Sequence, residues 1–313
     1  MRSRGPGMTA STDRALFVQQ QGQGRPVLLL NGLGAHHLMW EPLLKELEPA
    51  TIVFDWPGLG RSPAPPLRSH TMDAFVGIVE KLLTDLQHAE VDVVGYSFGG
   101  IVAQHLAAAR PDLVRRLVLV ATSTGVGGAF GRPLAMAALS TPLRYYSKSY
   151  LWATNHFTSG PTEREPEFLR HSAQLRQAYR PDAWAYYGQL KAASTSSSLR
   201  LLPAITQPTL VVHGSDDPII PAANGYLLAS RIPEARLLIT EREGHLLLHH
   251  EAGRAVVAIN DFLMARDHRT SEPWRTGRAV TRAEAKRALW SADLRAAQPS
   301  GAMHVLIRRI MSR

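Results

Sequence analysis

The sequence predicts an α/β fold with a doubly wound, mostly parallel sheet. Short apolar runs bounded by turn residues recur along the chain, and segments with helical periodicity alternate with them. The apolar runs are nearly continuous, which is typical of strands buried on both faces by helices. The length of 313 residues, with 45% hydrophobic and 19% charged residues, suits one large globular domain or a domain with an insertion.

The order of these elements along the chain supports the same fold class. In the first helical segment, Phe75, Val79 and Leu82 share one apolar face. The predicted strands are 26–30, 51–54, 91–94, 117–120, 209–212 and 236–239, and the predicted helices are 71–87, 99–109, 221–230 and 250–264.

The alternation of strands and helices breaks between residues 125 and 203. This stretch contains half of the 22 aromatic residues in about a quarter of the chain. We expect a helical insertion over the sheet, in which some rings form a small core and others line an apolar pocket at the strand ends. The predicted organisation is a disordered leader (1–13), a core in two parts (14–125 and 204–266), a helical lid (126–203) and a basic C-terminal extension (267–313).

Composition excludes several classes of function. The chain has no cysteine, which rules out disulfides, thiolate catalysis and cysteine–zinc sites. No apolar run reaches the roughly 18 residues of a membrane span, and no apolar segment follows the basic N-terminus, so we expect a cytoplasmic protein.

The net charge of +9 is unevenly distributed along the chain. Residues 267–313 hold ten Lys or Arg and four Asp or Glu, a net of +6. We therefore expect no nucleic-acid surface on the main domain. Thr281 to Glu284 form a capping-box pattern at the start of a basic helix, and 303–311 is a second amphipathic segment. Such segments could hold the protein on a polymer-granule or anionic lipid surface, or could simply pack locally.

The most informative motif is Gly95-Tyr96-Ser97-Phe98-Gly99, which follows a predicted strand and precedes a predicted helix. A serine in such a sharp turn adopts strained backbone angles, and the flanking glycines allow the strand and the helix to approach closely. This arrangement presents the Ser97 hydroxyl at the end of the sheet as a nucleophile. The alternative interpretation is a serine that merely caps a helix.

A nucleophilic serine needs a base and an orienting acid. The loop after strand 209–212 contains Asp216 and Asp217, and the loop after strand 236–239 contains His245. We choose Asp217 as the acid, with Asp216 as the alternative, because adjacent side chains in a tight loop point in different directions. The competing loop 121–125 has no carboxylate.

Other histidines compete with His245 as the base or suggest a metal site. His249 and His250 lie at the start of the last predicted core helix and could be surface residues, and His36 and His37 form a second pair. Adjacent side chains diverge and no carboxylate-rich spacing accompanies either pair, so we predict neither a metal site nor a cofactor.

The chemistry also needs donors for a developing oxyanion. One is the backbone N–H of Phe98, which follows the serine. The other is the backbone N–H of Leu33 in the glycine-containing loop after strand 26–30. A plain glycine turn is the alternative for this loop considered by itself.

Together these motifs make the chain resemble the α/β-hydrolase superfamily from about residue 15 to residue 266, and within it the intracellular depolymerases of medium-chain polyhydroxyalkanoates. The matching segments are 29–35 (LLNGLGA), 54–62 (FDWPGLGRS), 207–210 (QPTL), 216–221 (DDPIIP), 231–233 (RIP) and 244–246 (GHL). The resemblance implies an α/β-hydrolase fold with a helical lid. It also implies a catalytic triad of Ser97, Asp217 and His245, in the chain order of that superfamily.

The sequence departs from those depolymerases at three places. Phe98 stands where they tend to have tryptophan, the insertion matches weakly around 141–145, and the basic extension has no recognised counterpart. We therefore expect a serine hydrolase of apolar carboxylic esters, with medium-chain polyhydroxyalkanoate or its oligomers as candidate substrates.

Two alternatives to ester hydrolysis remain open. The same triad could perform carbon–carbon bond hydrolysis, lactone hydrolysis or acyl transfer. A non-catalytic binding module on the same scaffold is a further alternative. Dehalogenase and epoxide hydrolase chemistry is disfavoured, because those enzymes have aspartate at the position of Ser97. The oligomeric state is not predicted.

Overall fold

A computed structural model describes residues 16–64, 70–249 and 253–296. Its sheet has seven strands in the order β1-β3-β2-β4-β5-β6-β7. The strands are β1 (Val18–Gln21), β2 (Val27–Leu30), β3 (Thr51–Phe54), β4 (Val91–Tyr96), β5 (Val114–Val120), β6 (Thr209–Gly214) and β7 (Ala235–Thr240).

Helices connect the strands and cover both faces of the sheet. They are α1 (Glu41–Glu46), α2 (Met72–Asp85), α3 (Phe98–Ala109), α4 (Pro133–Leu139), α5 (Leu143–Tyr146), α6 (Lys148–Thr158), α7 (Pro166–Ala178), α8 (Ala183–Thr195), α9 (Ala223–Arg231), α10 (Arg254–Met264), α11 (Glu272–Thr276) and α12 (Arg282–Ala296). Short 3-10 helices lie at His37–Trp40, Thr162–Arg164, Leu202–Ala204, Leu247–His249 and His268–Thr270.

The predicted parallel sheet is confirmed, with one addition. Strands β2 to β7 pair in parallel, whereas β1 pairs antiparallel with β3, with Val18 opposite Phe54. The sequence analysis missed β1 because three of its four residues are glutamine. As an edge strand it is only partly buried, so it lacks the apolar run that marks the central strands.

The central strands are buried on both faces, which explains their continuous apolar runs. Leu28 and Leu30 pack into the core on one face, which contains α2 and α3, while Val27 and Leu29 pack into the opposite core, which contains α10. Because successive strand residues point to opposite faces, a strand covered by helices on both sides must be apolar at every position.

Helices α4 to α8 lie between β5 and β6 along the chain, within the segment that the sequence analysis treats as an insertion. Its aromatic residues divide between a buried set and an exposed set. Tyr145 and Tyr186 are buried and pack edge to face, with ring centroids 6.1 Å apart. Trp184 and Trp152 are 69% and 48% exposed, so the abundance of aromatic residues does not mainly reflect a pocket lining.

The start of the C-terminal extension packs onto the core. Trp274 in α11 is buried and stacks on Phe262 of α10, with ring centroids 5.9 Å apart. The predicted capping box is confirmed: Glu284 N–H donates to Thr281 Oγ1 (3.2 Å) and Thr281 N–H donates to Glu284 Oε2 (2.8 Å). The predicted leader and the segment 303–311 lie outside the described residues.

The last core helix begins later than the sequence analysis predicted. A 3-10 helix, Leu247–His249, comes first, and α10 starts at Arg254. His249 is buried, so the suggestion that it is a surface residue is wrong. His250 lies outside the described residues. None of the helices in the described residues has the length and apolar character needed to span a membrane.

Candidate active site

Ser97 occupies a strained turn between β4 and α3. Its φ of 54° and ψ of −117° are rarely adopted by residues other than glycine. The Ser97 carbonyl accepts a hydrogen bond from the Thr122 hydroxyl (2.6 Å), which helps to hold the turn. Although Ser97 is at the N-cap position of α3, its side chain makes no capping hydrogen bond. The helix-cap interpretation therefore does not describe this residue.

The glycines around Ser97 are required by close contacts between backbone segments. A Cβ atom on Gly99 would lie 2.0 Å from the carbonyl oxygen of Leu30 in β2. A Cβ atom on Gly95 would lie 2.7 Å from the Cα atom of Gly100 in α3. No side chain fits either position unless the backbone moves, so these glycines set how closely α3 approaches the sheet.

The structure brings Ser97, His245 and Asp217 into one hydrogen-bonded chain. His245 Nε2 lies 3.0 Å from Ser97 Oγ, and His245 Nδ1 lies 2.8 Å from Asp217 Oδ2. A carboxylate oxygen only accepts, so Nδ1 carries the proton and Nε2 can accept from the serine hydroxyl. All three side chains are buried. This geometry can transfer a proton from the serine to the imidazole.

Of the two adjacent aspartates, Asp217 is the one that contacts His245. Its other oxygen, Oδ1, accepts hydrogen bonds from the backbone N–H groups of Ile219 (2.8 Å) and Ile220 (2.9 Å). Asp216 accepts from the hydroxyl of its neighbour Ser215 (2.7 Å). The two carboxylates therefore diverge, and Asp217 is held on both sides.

The loop after β2 lies directly beside Ser97. A Cβ atom on Gly32 would be 3.3 Å from Ser97 Cβ, so this glycine allows close approach. Gly34 N–H donates to Gln189 Oε1 (2.9 Å), and the Leu33 carbonyl accepts from the Tyr145 hydroxyl (2.7 Å). Helices of the insertion thus fix the loop that carries the Leu33 N–H.

The N–H groups of Leu33 and Phe98 are available for a ligand. Among the described residues, neither group donates to a protein acceptor. Phe98 is the first residue of α3, where backbone N–H groups lack partners within the helix. Both residues line the same cavity as Ser97 and His245.

That cavity has a volume of about 400 Å³ and lies between the strand ends and the insertion. Its walls are mainly apolar, with Met39, Val126, Met136, Leu139 and Ile219 among the contributors. Only Phe130 and Tyr145 come from the aromatic residues of the insertion. A cavity of this size and lining suits a medium-sized apolar ligand.

Sequence reasoning missed four residues around this site, namely Tyr96, Arg144, Glu163 and Arg176. Tyr96 donates to the His245 carbonyl (2.9 Å), and Glu163 accepts from the Leu246 N–H, so both hold the histidine loop. Burial raises the pKa of Glu163 to about 7. Tyr96 could have been predicted as a site residue from its position within the serine motif. The sequence contains no such signal for Arg144, Glu163 and Arg176, because they lie in the weakly patterned insertion.

The His36 and His37 pair has structural partners. His37 Nδ1 lies 2.7 Å from Asp55 Oδ2, and His36 Nε2 donates to the carbonyl of Leu175 in α7 (2.8 Å). Burial lowers the pKa of His36 to about 4. Within the described part of the chain, no group of three or more His, Cys, Asp or Glu side chains could hold a metal ion.

The class of this protein follows from its similarity to known proteins. The family model of the alpha/beta hydrolase fold matches residues 25–252. The chain therefore belongs to the α/β-hydrolase family.

Two relatives show which kinds of protein this chain is similar to. A poly(3-hydroxyalkanoate) depolymerase of Ectopseudomonas oleovorans is 35% identical over 242 residues, which cover 76% of this chain and 84% of that protein. A 2-hydroxymuconate semialdehyde hydrolase of Pseudomonas sp. (strain CF600) is 27% identical over 268 residues, covering 80% and 90% of the two chains. The chain is thus similar both to a depolymerase and to a hydrolase of another substrate.

Solved structures show the same fold. A hydrolase from Pseudomonas aeruginosa PA01 matches with a TM-score of 0.68 and 27% identity, covering 83% of this chain and 98% of that chain. An esterase from Exiguobacterium antarcticum matches with a TM-score of 0.69 and covers 80% and 96%, and at 20% identity this likeness concerns the fold alone.

Proposed function

We propose that the protein is a serine hydrolase of apolar carboxylic esters, with Ser97 as nucleophile, His245 as general base and Asp217 as orienting acid. The observation that carries the proposal is the hydrogen-bonded chain from Asp217 Oδ2 through His245 to Ser97 Oγ, with distances of 2.8 and 3.0 Å. It lies at the wall of an apolar cavity of about 400 Å³, which suits an acyl chain.

In the first half of the reaction, Ser97 Oγ attacks the ester carbonyl carbon while its proton moves to His245 Nε2. Asp217 keeps Nδ1 protonated and stabilises the imidazolium. The N–H groups of Leu33 and Phe98 donate to the oxyanion of the tetrahedral intermediate. When the intermediate collapses, His245 protonates the departing alcohol and an acyl-enzyme remains.

In the second half, water replaces the alcohol. His245 takes a proton from the water as it attacks the acyl-enzyme, a second tetrahedral intermediate forms, and Ser97 leaves with the proton returned by His245. The products are the carboxylic acid and the free enzyme. No cofactor is needed for any of these steps.

Medium-chain polyhydroxyalkanoate or its oligomers are the substrates that we propose within the ester class. The support is the 35% identity to the poly(3-hydroxyalkanoate) depolymerase of Ectopseudomonas oleovorans together with the apolar cavity. The decisive assay compares emulsified medium-chain polyester with soluble short and medium esters. Hydrolysis of short soluble esters only would contradict the polyester assignment while preserving the esterase.

Replacement of the nucleophile tests the mechanism itself. Ser97→Ala should lower kcat for 4-nitrophenyl octanoate by about 10³-fold or more, because it removes the hydroxyl that would form the acyl-enzyme. Ser140→Ala, which removes an exposed hydroxyl that donates to the Ala137 carbonyl (2.7 Å), is the matched control. A Ser97→Ala protein that keeps most of its activity would disprove the mechanism.

A non-catalytic binding module would behave differently towards a covalent probe. A fluorophosphonate should label the wild type at Ser97, and mass spectrometry of the peptide should locate the adduct. An absence of labelling on folded protein would favour the binding module.

Carbon–carbon bond hydrolysis is the second candidate, and the similarity to 2-hydroxymuconate semialdehyde hydrolase favours it. Lactone hydrolysis and acyl transfer use the same residues. We propose ester hydrolysis as the main reaction because of the higher identity to the depolymerase. A kcat/KM for 2-hydroxymuconate semialdehyde above that for every ester tested would reverse this order.

A further inference from the structure

Two arginines of the insertion, Arg144 in α5 and Arg176 in α7, line the same cavity as Ser97 and His245. Arg176 is only 8% exposed, and Arg144 is partly buried. Neither residue has a role in the proposed ester hydrolysis. Two guanidinium groups in a mainly apolar cavity are therefore unexplained by that chemistry.

The protein provides no acid for these two arginines. Among the described residues, no carboxylate oxygen lies within 4 Å of either guanidinium. The Glu163 carboxylate influences the pKa of Arg176 electrostatically without contacting it. The two oxygens of Glu163 instead accept hydrogen bonds from the backbone N–H groups of Gly160 and Leu246. A buried charge without a partner is costly, so a role in binding would explain its presence.

Hydrogen bonding within the protein also leaves these guanidinium groups largely unsatisfied. The Arg176 guanidinium makes no hydrogen bond to another described residue. Arg144 Nε is buried without a hydrogen-bond partner among the described residues, and its Nη2 makes only long hydrogen bonds. The Arg144 guanidinium lies over the Tyr145 ring, 5.1 Å from the ring centroid, a contact that leaves its N–H donors free for an acceptor in the cavity. Burial, and then the nearby positive charge of Arg144, lower the pKa of Arg176. An anion bound between the two would offset their repulsion and accept several hydrogen bonds.

The position of Arg144 places this anion near the reacting bond. Its Nη2 lies 3.5 Å from the carbonyl oxygen of Leu33, the residue whose N–H we propose as an oxyanion donor. A group held by Arg144 would therefore lie close to the loop that carries the Leu33 N–H.

We propose that Arg144 and Arg176 bind a carboxylate that the substrate carries on its alcohol half, close to the scissile ester. The free carboxyl end of a hydroxyalkanoate oligomer has this chemistry. This inference rests on the proposed ester hydrolysis and names the end of the substrate at which it occurs. The enzyme then releases units from carboxyl ends in preference to cleaving ester bonds in the middle of a chain.

A matched substrate pair tests the proposal. The 3-hydroxyoctanoate dimer with a free carboxyl group and the same dimer capped as a primary amide contain the same ester bond. We expect wild-type kcat/KM to be at least about tenfold higher for the acid, the scale of a charge-assisted hydrogen bond. A wild-type ratio near one would overturn the proposal.

Variants identify the residues responsible for that ratio. Arg176→Met should bring the ratio of acid to amide close to one, Arg176→Lys should retain part of it, and Arg170→Met, an exposed arginine of the same helix, should retain all of it. If Arg176→Met does not fold, Arg144→Met provides the same test. An equal loss on both substrates in the Arg176 and Arg144 variants would overturn the assignment, because it would show a structural role.

Binding of the products separates this proposal from the esterase proposal. Calorimetry with 3-hydroxyoctanoate and 3-hydroxyoctanamide breaks no ester, so the expected tenfold preference for the acid should appear even if ester hydrolysis is the wrong reaction. A wild type that hydrolyses esters but binds both products equally would disprove the carboxylate site alone. Mono-4-nitrophenyl suberate carries its carboxylate on the acyl half, and 4-nitrophenyl octanoate lacks this group. If the enzyme prefers the suberate ester but shows no preference for the acid dimer, the carboxylate binds on the acyl side and the proposal is wrong.

Discussion

At the scale of single residues, Glu163 illustrates how the insertion supports the candidate site. It is completely buried, and one of its oxygens accepts from the N–H of Leu246, the residue after His245. The space for its carboxylate exists because Gly244 has no side chain: a Cβ atom there would lie 2.6 Å from Glu163 Oε2. The carboxylate of Glu163, which belongs to the insertion, thus holds the loop after β7 that carries His245.

Glu163 should make stability depend on pH in a recognisable direction. Because burial raises the pKa of Glu163 to about 7 from 4.5, the folded state retains a proton that the unfolded state loses between these values. The stabilisation is fully present below about pH 4.5 and is lost as the pH rises through 7. The free energy of unfolding of the wild type, relative to that of Glu163→Gln, should fall over this interval by up to roughly 3 kcal/mol.

Denaturant unfolding at pH values from 4 to 8 measures this difference. Glu167→Gln, an exposed glutamate in the same part of the insertion, controls for the loss of a charge. A difference between wild type and Glu163→Gln that stays constant across the range would refute the prediction.

At the scale of elements, the contact between α3 and the sheet is set by glycines, and a matched pair of substitutions tests this. Gly99→Ala should destabilise the fold and disable Ser97, because the new Cβ atom would lie 2.0 Å from the Leu30 carbonyl. Gly77→Ala, in the exposed face of α2 with no atom within 4 Å of a new Cβ, should stabilise by about 0.5–1 kcal/mol. Thermal unfolding and ester turnover of both variants give the comparison, and equal effects at the two positions would contradict it.

His36 links two elements, the loop after β2 and helix α7, and should respond to acid. Burial lowers the pKa of His36 to about 4 from 6.5, so the unfolded state binds the proton first. The contribution of neutral His36 to the free energy of unfolding is fully present above about pH 6.5 and is lost as the pH falls towards 4. Relative to His36→Gln, the stability of the wild type should therefore decrease between pH 6.5 and 4. Denaturant unfolding measures this difference in stability, and a difference that does not change with pH would contradict the prediction.

At the scale of the whole molecule, the C-terminal extension adds basic residues to a hydrolase domain. In α12, Arg282, Lys286 and Arg287 are exposed, and Trp290 beside them is 57% exposed. We propose that this surface contacts an anionic lipid layer, since each basic residue near such a surface contributes about 1 kcal/mol. Partitioning onto polymer granules is measured in the same experiment, as the alternative surface.

Replacement of Arg282, Lys286 and Arg287 by Gln should reduce partitioning onto phosphatidylglycerol vesicles by more than about tenfold. Removal of three exposed positive charges from the insertion, at Lys148, Arg170 and Arg180, should have a much smaller effect. Sedimentation with vesicles and with polyester granules measures both, and equal losses in the two triple variants would show that only net charge matters. Truncation after Arg266 is less informative, because it removes the buried Trp274 from its stack on Phe262.

The sequence by itself determined the fold class, most strand positions and the residues of the candidate triad. These follow from local rules: strands buried on both faces are apolar throughout, and a serine in a tight turn needs glycines at fixed spacing. The edge strand β1 was not predicted, because a half-exposed strand needs no apolar run. Among the candidate triad residues, the choice between Asp216 and Asp217 rested on the expectation that adjacent side chains diverge, and their observed partners agree with it.

Only the tertiary structure brought Arg144, Glu163 and Arg176 to the candidate site. Their positions depend on how the helices of the insertion fold over the strand ends, which no local periodicity records. A buried charge is recognisable by its surroundings and not by its neighbours in sequence, because its energy depends on which partners lie around it in space. The reaction type could thus be inferred from the motif around Ser97, whereas the end of the substrate that the cavity prefers became a question only once the insertion was in place.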